Sequence, residues 1–118
     1  MIIWNIKEKH EEYTLTGHNN LVFSVKFTND SKFIISGSRD CSINIWNVQE
    51  KRKEFILRGH KDKVSSVVCS PDFKFIISGS NDNTVRIWSV EQKKKNSNSL
   101  DILGQSFQST FQETENLL

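Results

Sequence analysis

The chain repeats itself at short range. Residues 33–46 read FIISGSRDCSINIW, and residues 75–88 read FIISGSNDNTVRIW. The blocks stand 42 residues apart, and the same step carries Gly17-His18 onto Gly59-His60 and Trp4 onto Trp46. From Gly17 to Val48, 17 of 32 positions are identical in the copy. A period of 20–50 residues belongs to architectures in which one supersecondary unit stacks on itself, because no single unit can bury both its faces. Any fold for this chain must give the two copies like surroundings.

Within each copy the local pattern is that of strands. Ile2, Trp4 and Ile6 share one face and Ile3 and Asn5 the other, the period of two that marks a strand. This segment aligns with residues 43–48 and 85–90. Residues 13–16 form a second short strand before a turn at Gly17-His18. Residues 21–27 (LVFSVKF) are rich in β-branched and aromatic side chains and read as a buried strand. A turn at 28–32 leads to a strand at 33–36, closed by Gly37, Ser38, Arg39 and Asp40. A third strand at 42–48, a charged hairpin tip at 49–53 and a fourth strand at 54–58 complete the copy. The second copy gives strands at 63–69, 74–78 and 84–90. The only proline, Pro71, falls in a turn, where its fixed φ is useful and its missing N–H costs no sheet bond. Four short antiparallel strands per period make a four-stranded sheet, and the fold class is all-β.

Composition removes several functions. Of 118 residues, 36% are hydrophobic and 25% charged, as in a globular chain. A net charge of +2 is too small to argue for nucleic acid or an anionic membrane. No apolar run approaches the roughly 20 residues that span a bilayer, and the first ten residues lack the form of a secretory signal. Cytoplasm, or nucleus, is the expected location. Cys41 and Cys69 occupy non-equivalent places in the copies and read as free thiols.

The Gly-His pair, the SGSxD block and a Trp 28 residues after each His resemble the WD-repeat β-propeller family. The resemblance covers residues 2–90. It implies a partial propeller of stacked four-stranded antiparallel blades, which this chain alone does not close. Residues 2–16 would be the outer two strands of a preceding blade and 21–58 a full blade. Residues 63–90 would be a further blade, completed by a displaced strand at 99–103, with 91–118 otherwise a polar linker and tail. One departure is consistent: the Asp that follows the Trp in the family is Asn5, Asn47 or Ser89 here, also polar residues at a strand's end. Propellers close with about four to eight blades. The strand count therefore favours a piece of a longer propeller over assembly of copies or a truncated product.

The resemblance also implies a hydrogen-bonded chain in each blade: His18, Ser36, Asp40 and Trp46, then His60, Ser78, Asp82 and Trp88. The donors and acceptors match, since indole only donates, carboxylate only accepts, and Ser and neutral His do both. Ser, His and Asp together suggest a hydrolase triad, but the set occurs twice, ends on an indole, and lacks a GxSxG nucleophile turn. No His, Cys or Glu stands at ligand spacing beside either His, so no metal or other cofactor is expected. His10, in KEKHEE, reads as solvated. So do Lys51-Arg52-Lys53 and Lys93-Lys94-Lys95, which lack the interleaved aromatics of nucleic-acid stacking. Asn29-Asp30-Ser31 reads as an accidental glycosylation sequon.

Function follows from the family resemblance: a non-catalytic scaffold that binds other proteins or peptides, or further WD-repeat blades in cis or in trans. Contacts are expected on loops where the copies differ: Asn19, Asn20, Leu21, Arg39 and Cys41 in the first, and Lys61, Asp62, Lys63, Asn81 and Asn83 in the second. The alternative is the targeting portion of a larger enzyme, such as a signalling ATPase, a kinase or a ubiquitin-ligase subunit.

Overall fold

The computed structural model describes residues 1–91; the expected strand at 99–103, the basic run at 93–95 and the tail lie outside them. The described residues form nine strands: β1 (Ile2–Asn5), β2 (His10–Thr14), β3 (Val22–Phe27), β4 (Phe33–Ser38), β5 (Ile43–Asn47), β6 (Arg52–Leu57), β7 (Val64–Cys69), β8 (Phe75–Ser80) and β9 (Val85–Ser89). Among the described residues they form antiparallel sheets β1-β2, β3-β4-β5-β6 and β7-β8-β9.

Register repeats with the sequence. Val22 opposite Ser38 and Ser24 opposite Gly37, with Phe23 bulged out, recur as Val64 opposite Ser80 and Ser66 opposite Gly79. The β1-β2 pairing matches β5-β6 residue for residue after the 42-residue step, including the irregularity beside the Trp.

Strand ends differ from the sequence reading in two ways. The hairpin tips are tighter than composition suggests: Lys9 and Lys51 adopt φ of 59° and 57°, so β2 and β6 begin at once on charged, outward residues. Gly37 and Ser38, read as turn, continue β4. Gly37 stays in the strand because β7 lies on it: an added Cβ would stand 2.7 Å from Val64 Cγ1.

Two cores alternate with the sheets. Ile35, Ile43 and Ile45 pack against Val64, Val67, Ile76 and Trp88 between the second and third sheets. Leu15, Ile34 and Trp46 form a smaller cluster under Ile3 and Tyr13 of the first. Alternation within β4 makes this work, since Ile34 and Ile35 serve opposite cores.

The expectation of a buried strand at 21–27 fails. Val25 is 51% exposed and Phe27 54%. An apolar strand is buried only when a neighbouring sheet covers it, and no described strand lies over this side of β3. Trp4 fails its alignment for the same cause. It is 61% exposed while Trp46 is 1% exposed, because the two-stranded sheet has no described strand to supply the serine and packing that Trp46 receives. Ile3, not the Ile2/Trp4/Ile6 face, turns inward.

Candidate interaction face and the relay beneath it

In each copy four side chains separated by 28 residues of sequence converge. Trp46 Nε1–H donates to Ser36 Oγ at 2.8 Å, Ser36 lies 2.7 Å from His18 Nε2, and His18 Nδ1 lies 3.0 Å from Asp40 Oδ2. In the second copy Trp88 donates to Ser78 at 2.8 Å, Ser78 lies 2.7 Å from His60 Nε2, and His60 Nδ1 lies 2.9 Å from Asp82 Oδ2. The indole can only donate and the carboxylate only accept. For a neutral imidazole the order is therefore indole N–H to Ser, Ser O–H to Nε2, and Nδ1–H to Asp. Both ring pairs, His18 with Trp46 and His60 with Trp88, meet edge-on at 6.0 Å and 66°.

Each strand presents its member by geometry. Ser36 and Trp46 sit on adjacent strands with Ile34 opposite Trp46, so both project to one side of the sheet. Gly17, at φ 156°, turns the chain so that His18 reaches them, and an added Cβ there would press on Trp46 Cη2 at 3.0 Å.

The acidic end holds the loops. Asp40 Oδ2 also accepts the Asn19 N–H at 2.9 Å, and Asp40 Oδ1 accepts the Ser42 N–H and hydroxyl. Asp82 does the same with the Lys61 N–H and with Thr84. Burial alone would raise the Asp40 carboxyl. Hydrogen bonds from Ser42, the Asn19 N–H and His18 outweigh it and hold the group well below the usual carboxylate value. Asp82 is lowered likewise: burial opposes the shift, and Thr84, the Lys61 N–H and His60 overcome it. The Arg39 N–H donates to Leu21 O at 2.8 Å and the Asn81 N–H to Lys63 O at 3.1 Å. The two loops at this end of each sheet are therefore tied together through backbone atoms.

Of the residues expected to make contacts, Asn19, Asn20, Leu21, Arg39, Lys61, Asp62, Asn81 and Asn83 are exposed. Asn20 and Asp62 cap their own turns, accepting the N–H of the next residue. Lys63 is half-buried, with its ammonium 5.6 Å from the Phe23 ring. Cys41 is half-buried at φ 72°; burial and the carboxylates of Asp62, Asp40 and Asp82 raise its thiol pKa, which disfavours the thiolate. Those carboxylates come from both copies, so the two loop pairs lie side by side. Neither cysteine is in a disulfide.

Ser36 is fully buried and its oxygen accepts the indole proton, an unsuitable state for a nucleophile. Among the described residues no group of three His, Cys, Asp or Glu could hold a metal. His10 is exposed, its ring 2.6 Å from Glu8 Oε2; that hydrogen bond raises its pKa. Lys51 and Lys53 are more than solvated tips: they lie 4.9 Å from the Tyr13 ring and 5.9 Å from the Trp46 ring. Asn5 and Asn47, where the family has Asp, accept the N–H three residues on, of Glu8 and Glu50. Asn therefore closes the hairpin tip through its side-chain oxygen. Asn44 escaped the sequence reading. It is buried, and its amide has no hydrogen-bond partner among the described residues. The signal was a polar residue inside an apolar strand, INIW.

Stacked antiparallel sheets, of which the second and third each carry a His-Ser-Asp-Trp relay that braces loops at one end, define the class: a non-closed array of β-propeller blades. A family model described as "WD domain, G-beta repeat" matches residues 9–47 and 51–89, two thirds of the chain, and the chain belongs to the WD-repeat family. Each match opens on the outer strand, β2 or β6, and ends at β5 or β9. Repeats of this family generally mediate protein–protein interaction. A search of curated proteins finds no match.

Proposed function

We propose that this chain is a non-catalytic docking module that binds proteins or peptides through the end of its sheets carrying Asn19, Arg39, Lys61 and Asn81. One observation carries the reading. The relay fixes these loops by their backbone, through Asp40 to the Asn19 N–H and Asp82 to the Lys61 N–H, while the side chains stay exposed. A surface whose shape is fixed before contact loses little entropy on binding. Carried in a longer polypeptide with a signalling ATPase, kinase or ubiquitin-ligase activity, the same face would do the targeting.

Peptides selected from a random display library on the full chain provide the test. Their affinity should fall by at least about tenfold, about 1.4 kcal/mol, on Arg39→Glu with Lys61→Glu. It should not change on Lys32→Glu with Lys74→Glu at the opposite end of the sheets. The reverse pattern, or equal losses, would refute the assignment.

A further inference from the structure

At the end of the sheets that carries the docking loops, Phe23 stands where the second copy has Ser65. Phe23 is bulged off the β3-β4 ladder, between Val22 opposite Ser38 and Ser24 opposite Gly37. A bulge re-aims a side chain. Among the described residues Phe23 joins neither core, and it is 45% exposed. That exposure does not depend on an absent neighbour. Val22 and Val25 are exposed, while their counterparts Val64 and Val67 are buried where the second sheet packs on β7. Ser65 stays exposed in spite of that packing, its hydroxyl donating to Gly79 O at 3.3 Å. The bulge therefore stays open on a strand covered from either side, and Lys61 and Asn81 are exposed under the same packing.

The cations around this ring are unpaired. Arg39 is tied by its N–H to Leu21 O at 2.8 Å, close before Phe23 in the chain, and the Lys63 ammonium stands 5.6 Å from the ring. Among the described residues Arg39, Lys61 and Lys63 have no ion pair. The acids of these loops are otherwise engaged. Asp40 and Asp82 turn inward, nearly buried and bound to the histidines of the relay. Asp62 holds the Lys63 N–H at 2.6 Å. At the opposite end each turn carries its own acid and base together, Asp30 with Lys32 and Asp72 with Lys74. Asp40, Asp62 and Asp82 all act on Cys41. The carboxylates of a ligand therefore belong at Arg39 and Lys63, beside the ring, and not over that thiol.

We infer that this end binds an acidic segment of a partner protein with one large apolar residue, which lies on Phe23 while flanking carboxylates meet Arg39 and Lys63. The inference rests on the docking role proposed above and names the chemistry of its ligand. Aromatic and arginine side chains are enriched at protein interfaces, where a few such anchors carry most of the energy. An ammonium held beside a ring offers a charge and apolar surface in one place. A ligand acid there pairs with Lys63 while its apolar neighbour covers the exposed part of Phe23. Lys61 extends the basic rim and favours the approach of acidic segments over basic ones.

The same display selection on the full chain tests this. Enriched peptides should carry one large apolar residue with Asp or Glu on both sides of it. Phe23→Ser installs the residue that the second copy holds in the same register. It should keep wild-type circular dichroism and weaken binding of those peptides by at least about tenfold. Reselection on Arg39→Glu with Lys63→Glu should enrich Lys and Arg in place of the acids. If that pair does not fold, Arg39→Glu alone, at an exposed position, replaces it. Enriched peptides without an excess of acids, an affinity indifferent to Phe23→Ser, or an unchanged preference on reselection would overturn the inference. The docking role would still stand if Arg39→Glu with Lys61→Glu weakened whatever peptides were selected. A selection that enriches no peptide would overturn both.

Discussion

Ser36→Ala tests the relay at its node. Ser36 is fully buried; its oxygen takes the Trp46 indole N–H at 2.8 Å, and its hydroxyl serves His18 Nε2 at 2.7 Å. Alanine fits the strand and leaves almost no cavity, so packing loss is small. It does strand two buried polar groups, one donor and one acceptor. Each costs about 1–3 kcal/mol when left unmade, and the serine hydroxyl no longer has to be desolvated, which offsets part. The expected loss is about 2–4 kcal/mol, a large share of the roughly 5–15 kcal/mol that holds a domain together. With a urea slope of about 1–1.5 kcal/mol/M the midpoint falls by roughly 2 M. The cause is isolated by a double-mutant cycle with Trp46→Phe, which keeps an aromatic ring and removes the donor. In that background Ser36→Ala should cost about 1–2 kcal/mol less. Costs that add to within about 0.3–0.5 kcal/mol would mean that hydroxyl and indole are uncoupled, and the relay would be refuted as an energetic unit.

Three further outcomes follow from the same geometry. Asp40 and Asp82 titrate below the usual carboxylate range in the folded chain, so their stabilisation is complete above the unfolded value of about 4 and is lost as pH falls toward the folded one. Urea midpoints taken at falling pH should drop steeply below about pH 4, and Asp40→Asn should be weaker at neutral pH but flatter in acid. Cys41 holds φ 72° where its counterpart Asn83 holds 70°. Asn tolerates that conformation better, so Cys41→Asn should raise stability by about 0.5–1 kcal/mol in thermal melts. Asn44 buries an amide without partners among the described residues, so Asn44→Leu, of similar volume, should stabilise by about 1 kcal/mol in urea; a loss would show that the amide has a further partner.

What could be read from sequence was whatever depends on one sheet alone. His18, Ser36, Asp40 and Trp46 sit within one sheet and its entry loop, so the family resemblance could group them and their hydrogen-bonding character agreed with it. The repeat gave the strand order for the same reason. What escaped depends on neighbours. LVFSVKF reads as buried on composition, yet Val25 and Phe27 are exposed because burial belongs to the pair of sheets and not to the strand. Trp4 has the right residue type in the right register and still lacks its partners. Turn lengths escaped for another cause: a lysine at positive φ, as at Lys9 and Lys51, carries no compositional mark.

The loops differ between copies while their shape does not, and the bonds explain why. Asp40 and Asp82 bind the main-chain N–H of Asn19 and Lys61, and the Arg39 and Asn81 N–H groups bind carbonyls of Leu21 and Lys63. None of these four contacts uses the side chain of Asn19, Arg39, Lys61 or Asn81, so these ties do not depend on which residue stands at those four positions. Exchanging Asn19 with Lys61 and Arg39 with Asn81 between copies should leave stability within about 0.5 kcal/mol, as for ordinary surface changes. It should still alter which peptides bind. A larger loss of stability would mean that those side chains hold the loops themselves, and the division between a fixed frame and a free surface would fall.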